Sequence, residues 1–332
     1  MTATDGVEMP ADKRALVAKA TRLEWLTIAY LLSAIFFIYL TLGSSQAMKT
    51  AWFEDIISLV PAIAFLVAAR VRRRAPTEQF PYGFHRSVSI AYLCASLALF
   101  AMGTFLLYDS VSALLSFEHP SIGSVQIFGA PIWLGWLMLP ALVWSGVPAA
   151  IIGRAKLPLA AALHDKVLLA DAKMNKADWL TATAALVGVL GIGLGMWWAD
   201  AVAASVISLD ILHDGISNLR TVVADLMNSK PTTVDHSAAD PLPTRIENEL
   251  KKRAWVADAR VRMREEGHVF FGEAFVVPAD DRDLTARIED TTRDLQALDW
   301  RLHELVITPV HDLDRTPAPE GRSPTRVSSP RR

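Results

Sequence analysis

Long apolar segments with few charges run through the chain up to about residue 230, and no other feature limits its fold as strongly. Several windows exceed about 18 residues, long enough for a helix to cross a hydrocarbon core of about 30 Å. The 332 residues are 52% hydrophobic and the mean hydropathy is positive, an excess that a soluble protein of this length rarely carries. The pattern predicts six spans, at about Leu23–Leu42, Ser45–Ala69, Ser87–Phe117, Ile132–Ile152, Leu159–Trp197 and Ala201–Val223. The third, fifth and sixth are expected to project beyond the bilayer. A net charge of −2 gives no reason to expect a nucleic-acid partner. The single cysteine, Cys94, lies in an apolar run and excludes an intramolecular disulfide framework or a cysteine-rich zinc site. Met1 to Arg22 is polar and lacks a short apolar core with a cleavage site, so no secretory signal is predicted.

Basic residues set the direction of the spans, because Lys/Arg-rich loops stay on the cytoplasmic side. Lys13, Arg14, Lys19 and Arg22 precede the first span, and Arg70, Arg72, Arg73, Arg74 and Arg86 fall between the second and third. Arg154 and Lys156 are assigned to the loop between the fourth and fifth, and Arg220 and Lys230 close or follow the sixth. The alternate loops hold Lys49 and no Lys or Arg from Ser87 to Gly153. Both termini are therefore expected to be cytoplasmic, in a multi-pass protein of the cell (inner) membrane.

The character changes after Lys230. Residues 231–243 read as a polar linker, and Thr244–Ala254 as a helix capped by Thr244. Val256–Met263 and His268–Val277 alternate as strands around the turn Glu265-Glu266-Gly267. Leu284, Ile288 and Leu295 mark an amphipathic helix, and Arg301–Thr308 a last strand. The order αββαβ over 244–313 predicts a small ferredoxin-like α+β domain, small enough to favour dimerisation. The Pro-, Ser- and Arg-rich residues 314–332 are expected to be disordered. The overall expectation is a polar segment 1–22, a six-helix transmembrane domain 23–230, a linker, and this cytoplasmic domain.

Three motifs occur in a fixed order. Phe80-Pro81-Tyr82-Gly83-Phe84-His85-Arg86 follows the second span, Ala170-Asp171-Ala172 with Asp178 lies in the fifth, and Trp198-Ala199-Asp200 precedes the sixth. With the six spans, internal termini and αββαβ tail, they resemble the cation diffusion facilitator family over about residues 20–310. The loop is similar to the family's His-Pro-Tyr-Gly-x-Gly-Arg, with Phe80 in place of the leading His. The other two are similar to Ala-Asp-Ala-x-His-x-x-x-Asp and Trp-x-Asp-Pro. The resemblance implies a homodimeric exporter of divalent metal ions driven by proton counterflow.

The resemblance also implies a transport site between spans two and five, with two ligands four residues apart on each helix. Residues at i and i+4 share a helix face, so two facing pairs offer four donors to one ion. Counted back from Tyr82, the span-two positions are Glu54 and Ser58, and the span-five motif puts its His position on Met174 and its Asp position on Asp178. Asp55 and Asn175 sit beside pair members and could rotate in. Such an oxygen-rich set favours harder ions such as Mn²⁺ or Mg²⁺ over a conventional zinc site, while the Met174 thioether adds a soft contact. Proton exchange, often the role of the family's His, would pass to Glu54, Asp55 or Asp178. The metal is substrate, and no resident cofactor is expected.

Structural readings stand beside these. Glu54 and Asp55 could pair with Lys49 or lie near the outer headgroups, and Asp171 and Asp178 could be neutralised by Lys166, Lys173 or Lys176. Met174 could simply pack, and Ser58 could bond within its helix. Asp210 is read as the partner of a basic residue on a neighbouring helix, or as a second proton carrier. Asp109 is read as structural, and Asp200 as an outer helix cap. His164-Asp165 and His213-Asp214 are expected to be solvated, and His236, His268, His303 and His311 with Asp312 to be surface groups. Trp255 and Trp300 should anchor the tail domain, and Arg70–Arg74 should meet anionic lipid. The expected partners are a divalent cation, protons, membrane lipid and a second copy of the chain. Loss of half the usual ligands leaves open a non-transporting member that stabilises or regulates a partner transporter.

Overall fold

The computed structural model describes residues 9–41, 46–116, 124–127, 130–193, 196 and 198–313. They form two compact units: 9–240 with Arg264–Val269, and Pro241–Met263 with 270–313. The Asp200 side chain and the tail 314–332 lie outside the described residues.

The larger unit is helical, with α1 (Ala11–Thr41), α2 (Gln46–Ile57), α3 (Leu59–Val71), α4 (Ser87–Leu115), α5 (Gly135–Leu163), α6 (Lys166–Gly193) and α7 (Ala199–Leu226). Two short antiparallel strands, β1 (Ser124–Ile127) and β2 (Ala130–Trp133), stand between α4 and α5. Four stretches are long and apolar enough to cross a membrane: Ala11–Thr41, Ala51–Val71, Ser87–Leu115 and Gly135–Leu163. The chain is therefore a membrane protein. The 28-residue helices α6 and α7 have the length, about 42 Å at 1.5 Å per residue, but charged residues interrupt them.

Three boundaries differ from the sequence reading. The first helix starts at Ala11, so the polar residues before Leu23 already belong to it. The second expected span is two helices parted at Ser58. Pro61, four residues beyond Ile57, has no N–H to return to the Ile57 carbonyl, and the ladder loosens there. The third difference concerns the loop assigned to Arg154 and Lys156. Both residues are inside α5, which continues past Pro158 to Leu163 and contains Pro140 and Pro148 as well. Neighbouring helices in a membrane bundle support a proline that would end a helix in water. The actual turn is at His164, which adopts φ 49° and ψ 45°. Asp165 then accepts hydrogen bonds at 3.1 Å from the amides of Val167 and Leu168, capping α6. His164 and Asp165 are consequently buried, not solvated.

Helices α4 and α7 meet backbone to backbone through glycine. A Cβ on Gly103 would lie 2.7 Å from the Leu212 amide nitrogen, and one on Gly215 would lie 2.7 Å from the Phe100 Cα. The two glycines thus relieve the same contact from opposite sides, as small residues do where membrane helices approach closely.

Beyond α7 the chain folds back through an isolated bridge between Thr232 and Ala239. His236, at φ 62°, lies against α4 with its Nε2 2.9 Å from the Tyr92 hydroxyl. Its expected place on the surface is corrected to a half-buried packing position. Burial, reinforced by the nearby Lys166 and Lys173 cations, lowers its pKa from 6.5 to about 4.

The smaller unit runs α8 (Leu242–Lys251), β3 (Val256–Glu266), β4 (Val269–Pro278), α9 (Leu284–Gln296) and β5 (Leu302–Pro309). The sheet order is β3-β4-β5, with β4 and β5 parallel and Phe270 opposite Leu302. Parallel neighbours need a crossover, which α9 supplies. Pro241, not Thr244, precedes the first helical residue of α8, and Thr244 is inside its first turn. Ile246, Leu250, Trp255, Phe270, Ala274, Leu295 and Leu302 form the core.

Two outcomes follow from this packing. Gly215→Val should drive α7 from α4 at a cost of about 1–3 kcal/mol, the usual overpacking range, read as a lowered Tm in detergent. For His236 the folded state favours the neutral ring, so only the unfolded chain takes up a proton as pH falls below 6.5. The His236 contribution is therefore intact above 6.5 and declines towards about pH 4. His236→Asn, which tolerates positive φ, should flatten the Tm–pH slope across that window.

Candidate functional site

The break in the second span places a short run of polar residues against α6. Glu54, Asp55 and Ser58 are each buried to 2% exposure or less, although they occupy an apolar helix pair. Ser58 Oγ donates to Asp178 Oδ1 at 2.5 Å, joining the two helices directly. Glu54 is hydrogen-bonded to Thr181, one turn further along α6. Asp55 faces α5 instead, where Ser145 Oγ lies 3.2 Å from Oδ1 and 3.4 Å from Oδ2. The hydroxyl of Tyr30 on α1 in turn donates to the Ser145 carbonyl.

Asn175 lies opposite Gly153 of α5, where an added Cβ would come within 2.9 Å of the Asn175 Cβ, and its Nδ2 donates to the Asp171 carbonyl at 2.8 Å. Met174 is fully buried in an apolar cluster with Leu99, Met102, Leu106 and Ile211, against which Ile57 also packs. Of the six sequence-derived positions, five bring oxygen atoms to the α2–α5–α6 region and Met174 brings a thioether into apolar surroundings. One oxygen of Glu54, one of Asp178 and the Asn175 carbonyl oxygen are buried without a hydrogen-bond partner. Such atoms are costly in a low-dielectric interior unless a proton or cation meets them. Among the described residues, no three His, Cys, Asp or Glu side chains are gathered closely enough to hold an ion by themselves. A complete coordination shell here would need Ser58, Asn175 or water beside the carboxylates.

The lysines proposed to neutralise Asp171 and Asp178 have other partners. Lys166 binds Asp225 at 2.7 Å and Glu265 at 2.9 Å. Lys173 meets Asp214 at 3.3 Å and Asn218 at 3.2 Å. Lys176 meets Asp210 at 2.7 Å, so Asp210 pairs with a neighbouring helix. The partner of Asp171 is Lys156, which also binds Glu24 at 3.0 Å. All three of these side chains have no exposed surface. Sequence reasoning missed this cluster because Arg154 and Lys156 read as a basic loop between two apolar spans. Glu24, in the first expected span, was the available signal.

The tail histidines divide. His268 is buried and bonded to Arg72, so it is not a surface group. His303 packs its ring 5.3 Å from that of Phe271, and His311 is exposed. Burial alone would raise the Glu265 pKa, but His164 and Lys166 outweigh it and hold that carboxylate below its usual range.

Comparison with known proteins agrees with this architecture. The chain is 28% identical over 182 residues to the manganese efflux system protein MneS of Bacillus subtilis, covering 54% of this chain and 59% of that protein. It is 25% identical over 239 residues to the manganese efflux system protein MneP of the same organism, covering 68% and 72%. A shorter match, 28% over 111 residues, joins it to the probable proton-coupled zinc antiporter SLC30A4 of Bos taurus, covering 32% and 26%. The chain thus spans less than two thirds of several of the relatives it matches. The sequence model of the cation efflux transmembrane domain matches residues 25–227, from within α1 to the end of α7. That match covers most of the chain, which belongs to the cation diffusion facilitator family of cation efflux transporters.

Proposed function

We propose that this protein exports a divalent cation from the cytoplasm by alternating access, coupled to protons moving inward. In this reading α1, the α2–α3 pair, α4, α5, α6 and α7 are six spans, both termini are cytoplasmic, and the membrane is the cell (inner) membrane. The smaller unit is then a cytoplasmic ferredoxin-like domain, and the working form is a homodimer. Buried, unpartnered carboxylate oxygens on Glu54 and Asp178, on helices linked by the 2.5 Å Ser58–Asp178 bond, carry the proposal. An ionisable side chain inside a membrane bundle is functional by default, because hydrocarbon gives it nothing else to interact with.

The chemistry follows from competition for the same oxygens. A divalent cation reaching Glu54, Asp55 and Asp178 replaces protons there, with Ser58, Asn175 and water completing an oxygen shell. Protons arriving from the opposite side neutralise the carboxylates and release the ion. A set of hard oxygen donors favours Mn²⁺ or Mg²⁺ over Zn²⁺. The manganese efflux function named for two relatives supports that preference, and the antiporter named for a third supports proton coupling.

The sparse ligand set also favours a second reading, a non-transporting member that stabilises a partner transporter. Flux into proteoliposomes with Mn²⁺, Mg²⁺ and Zn²⁺, under an imposed pH gradient, separates the two. The exporter reading expects Mn²⁺ flux that collapses without the gradient and falls at least about tenfold in Asp178→Ala and in Glu54→Ala. Wild-type rates in the double Ala variant would exclude this site. No flux with any of the three ions from well-folded protein would select the partner role.

A further inference from the structure

Glu54 and Asp55 are neighbours on α2, and successive helical residues point about 100° apart. Glu54 accordingly meets Thr181 of α6, while Asp55 meets Ser145 of α5. The three buried carboxyl groups of this region are held unequally. Glu54 Oε1 and Asp178 Oδ2 are buried without a hydrogen-bond partner, whereas both oxygens of Asp55 share one hydroxyl, at 3.2 and 3.4 Å from Ser145 Oγ. That hydroxyl has a single proton to give, and both distances exceed the usual range of about 2.5–3.0 Å. The hold on Asp55 is therefore loose, in contrast to the 2.5 Å bond between Ser58 and Asp178.

Ser145 itself is fixed from two sides. The Tyr30 hydroxyl on α1 donates to its carbonyl. At the next residue, a Cβ on Gly146 would lie 3.0 Å from the Ala182 Cβ, so α5 packs closely on α6 there. The backbone carrying Ser145 is thus pinned to α1 and α6, and the side chain left to move is that of Asp55. Asp55 remains near enough for its charge to be felt by Glu54 and Asp178. A change of its rotamer is the smallest movement that would bring it to an ion between them.

We propose that Ser145 is a latch on Asp55, and that drawing Asp55 from this latch is the step that favours Mn²⁺ over Mg²⁺; the proposal rests on the transport-site reading above. Glu54 and Asp178 already balance the charge of a divalent ion, so Asp55 enters as an additional oxygen donor and not to meet a charge requirement. Mg²⁺ gives up its water reluctantly and is satisfied by one or two carboxylates, which leaves Asp55 on its latch. Mn²⁺ exchanges water for protein oxygens more readily, and its gain from Asp55 offsets the loss of a weak Ser145 bond. On release the latch takes Asp55 back, which keeps the ion from being trapped. Ser145 is a positioning residue: it does not touch the ion, and it sets how much an ion must gain to recruit Asp55.

Equilibrium binding of Mn²⁺ and of Mg²⁺, each alone and at one pH, to the purified full-length chain in detergent provides the test. Ser145→Ala should tighten Mn²⁺ binding at least about threefold, as expected when one weak hydrogen bond is lost from the ion-free state, and leave Mg²⁺ within about twofold of wild type. Ser145→Thr, which keeps the hydroxyl, should behave as wild type. Asp55→Ala should weaken Mn²⁺ at least about tenfold with little effect on Mg²⁺, and adding Ser145→Ala to it should change nothing further. Damage to packing would move both ions together, so an Mn²⁺/Mg²⁺ affinity ratio unaltered by Ser145→Ala and by Asp55→Ala overturns the latch. If Ser145→Ala does not fold, an unaltered ratio in Asp55→Ala alone overturns it equally. Loss of Mn²⁺ binding in Glu54→Gln/Asp178→Gln beside such an unaltered ratio would leave the transport site standing and remove the latch alone. Unaltered Mn²⁺ binding in that double variant would overturn the transport site, and the latch with it.

Discussion

Within a hydrocarbon layer a polar side chain can bond only to the rest of the protein, and this constraint organises α1, α2, α5 and α6. Lys156 cannot be solvated where it lies, so Glu24 and Asp171 must meet it, and three helices are tied at one point. Ser58 and Asp178 tie α6 to the break between α2 and α3 in the same way, and Ser145 ties α5 to Asp55. Removing one member of such a buried pair costs far more than the pair contributes, because the remaining charge is left uncompensated. The polar contacts therefore determine which helices can be neighbours, while apolar packing fills the space between them.

The α4–α7 pair is built on the opposite principle. It depends on the absence of side chains, with Gly103 and Gly215 letting two backbones touch. Dispersion contacts at that distance help hold the pair together. The bundle thus combines a polar-linked group of helices with a close-packed pair, and α6 touches both. Its Asp171–Asn175–Asp178 face belongs to the first group, while Met174 packs with Leu99 and Ile211 on α4 and α7. A movement of α6 would be felt on both sides.

Much of the site was legible beforehand. The family spacing measured from Tyr82 pointed to Glu54 and Ser58, and the span-five motif to Asp178; the fold brings Ser58 and Asp178 into contact with Glu54 close by. Asn175 was legible only as the neighbour of Met174 that could rotate in. Met174 shows the limit of that reasoning. Spacing names the position of a residue on a helix, but its neighbours decide whether it meets a polar site or an apolar cluster. The ion pairs were less legible still. Lys166, Lys173 and Lys176 are close to Asp171 and Asp178 in sequence, yet each pairs with a carboxylate elsewhere.

The sequence by itself determined that this is a membrane protein rich in apolar helices and which family it belongs to. These properties depend on the length and period of apolar runs and on short local motifs, which need no knowledge of what packs against them. Only the tertiary structure decided that Lys156 lies inside a helix and not in a loop. The helices around α5 support the chain past Pro158, and that support comes from residues far away in sequence. The partner of each buried charge was decided in the same way: Glu24 is 132 residues from Lys156, and only helix packing brings the two to 3.0 Å.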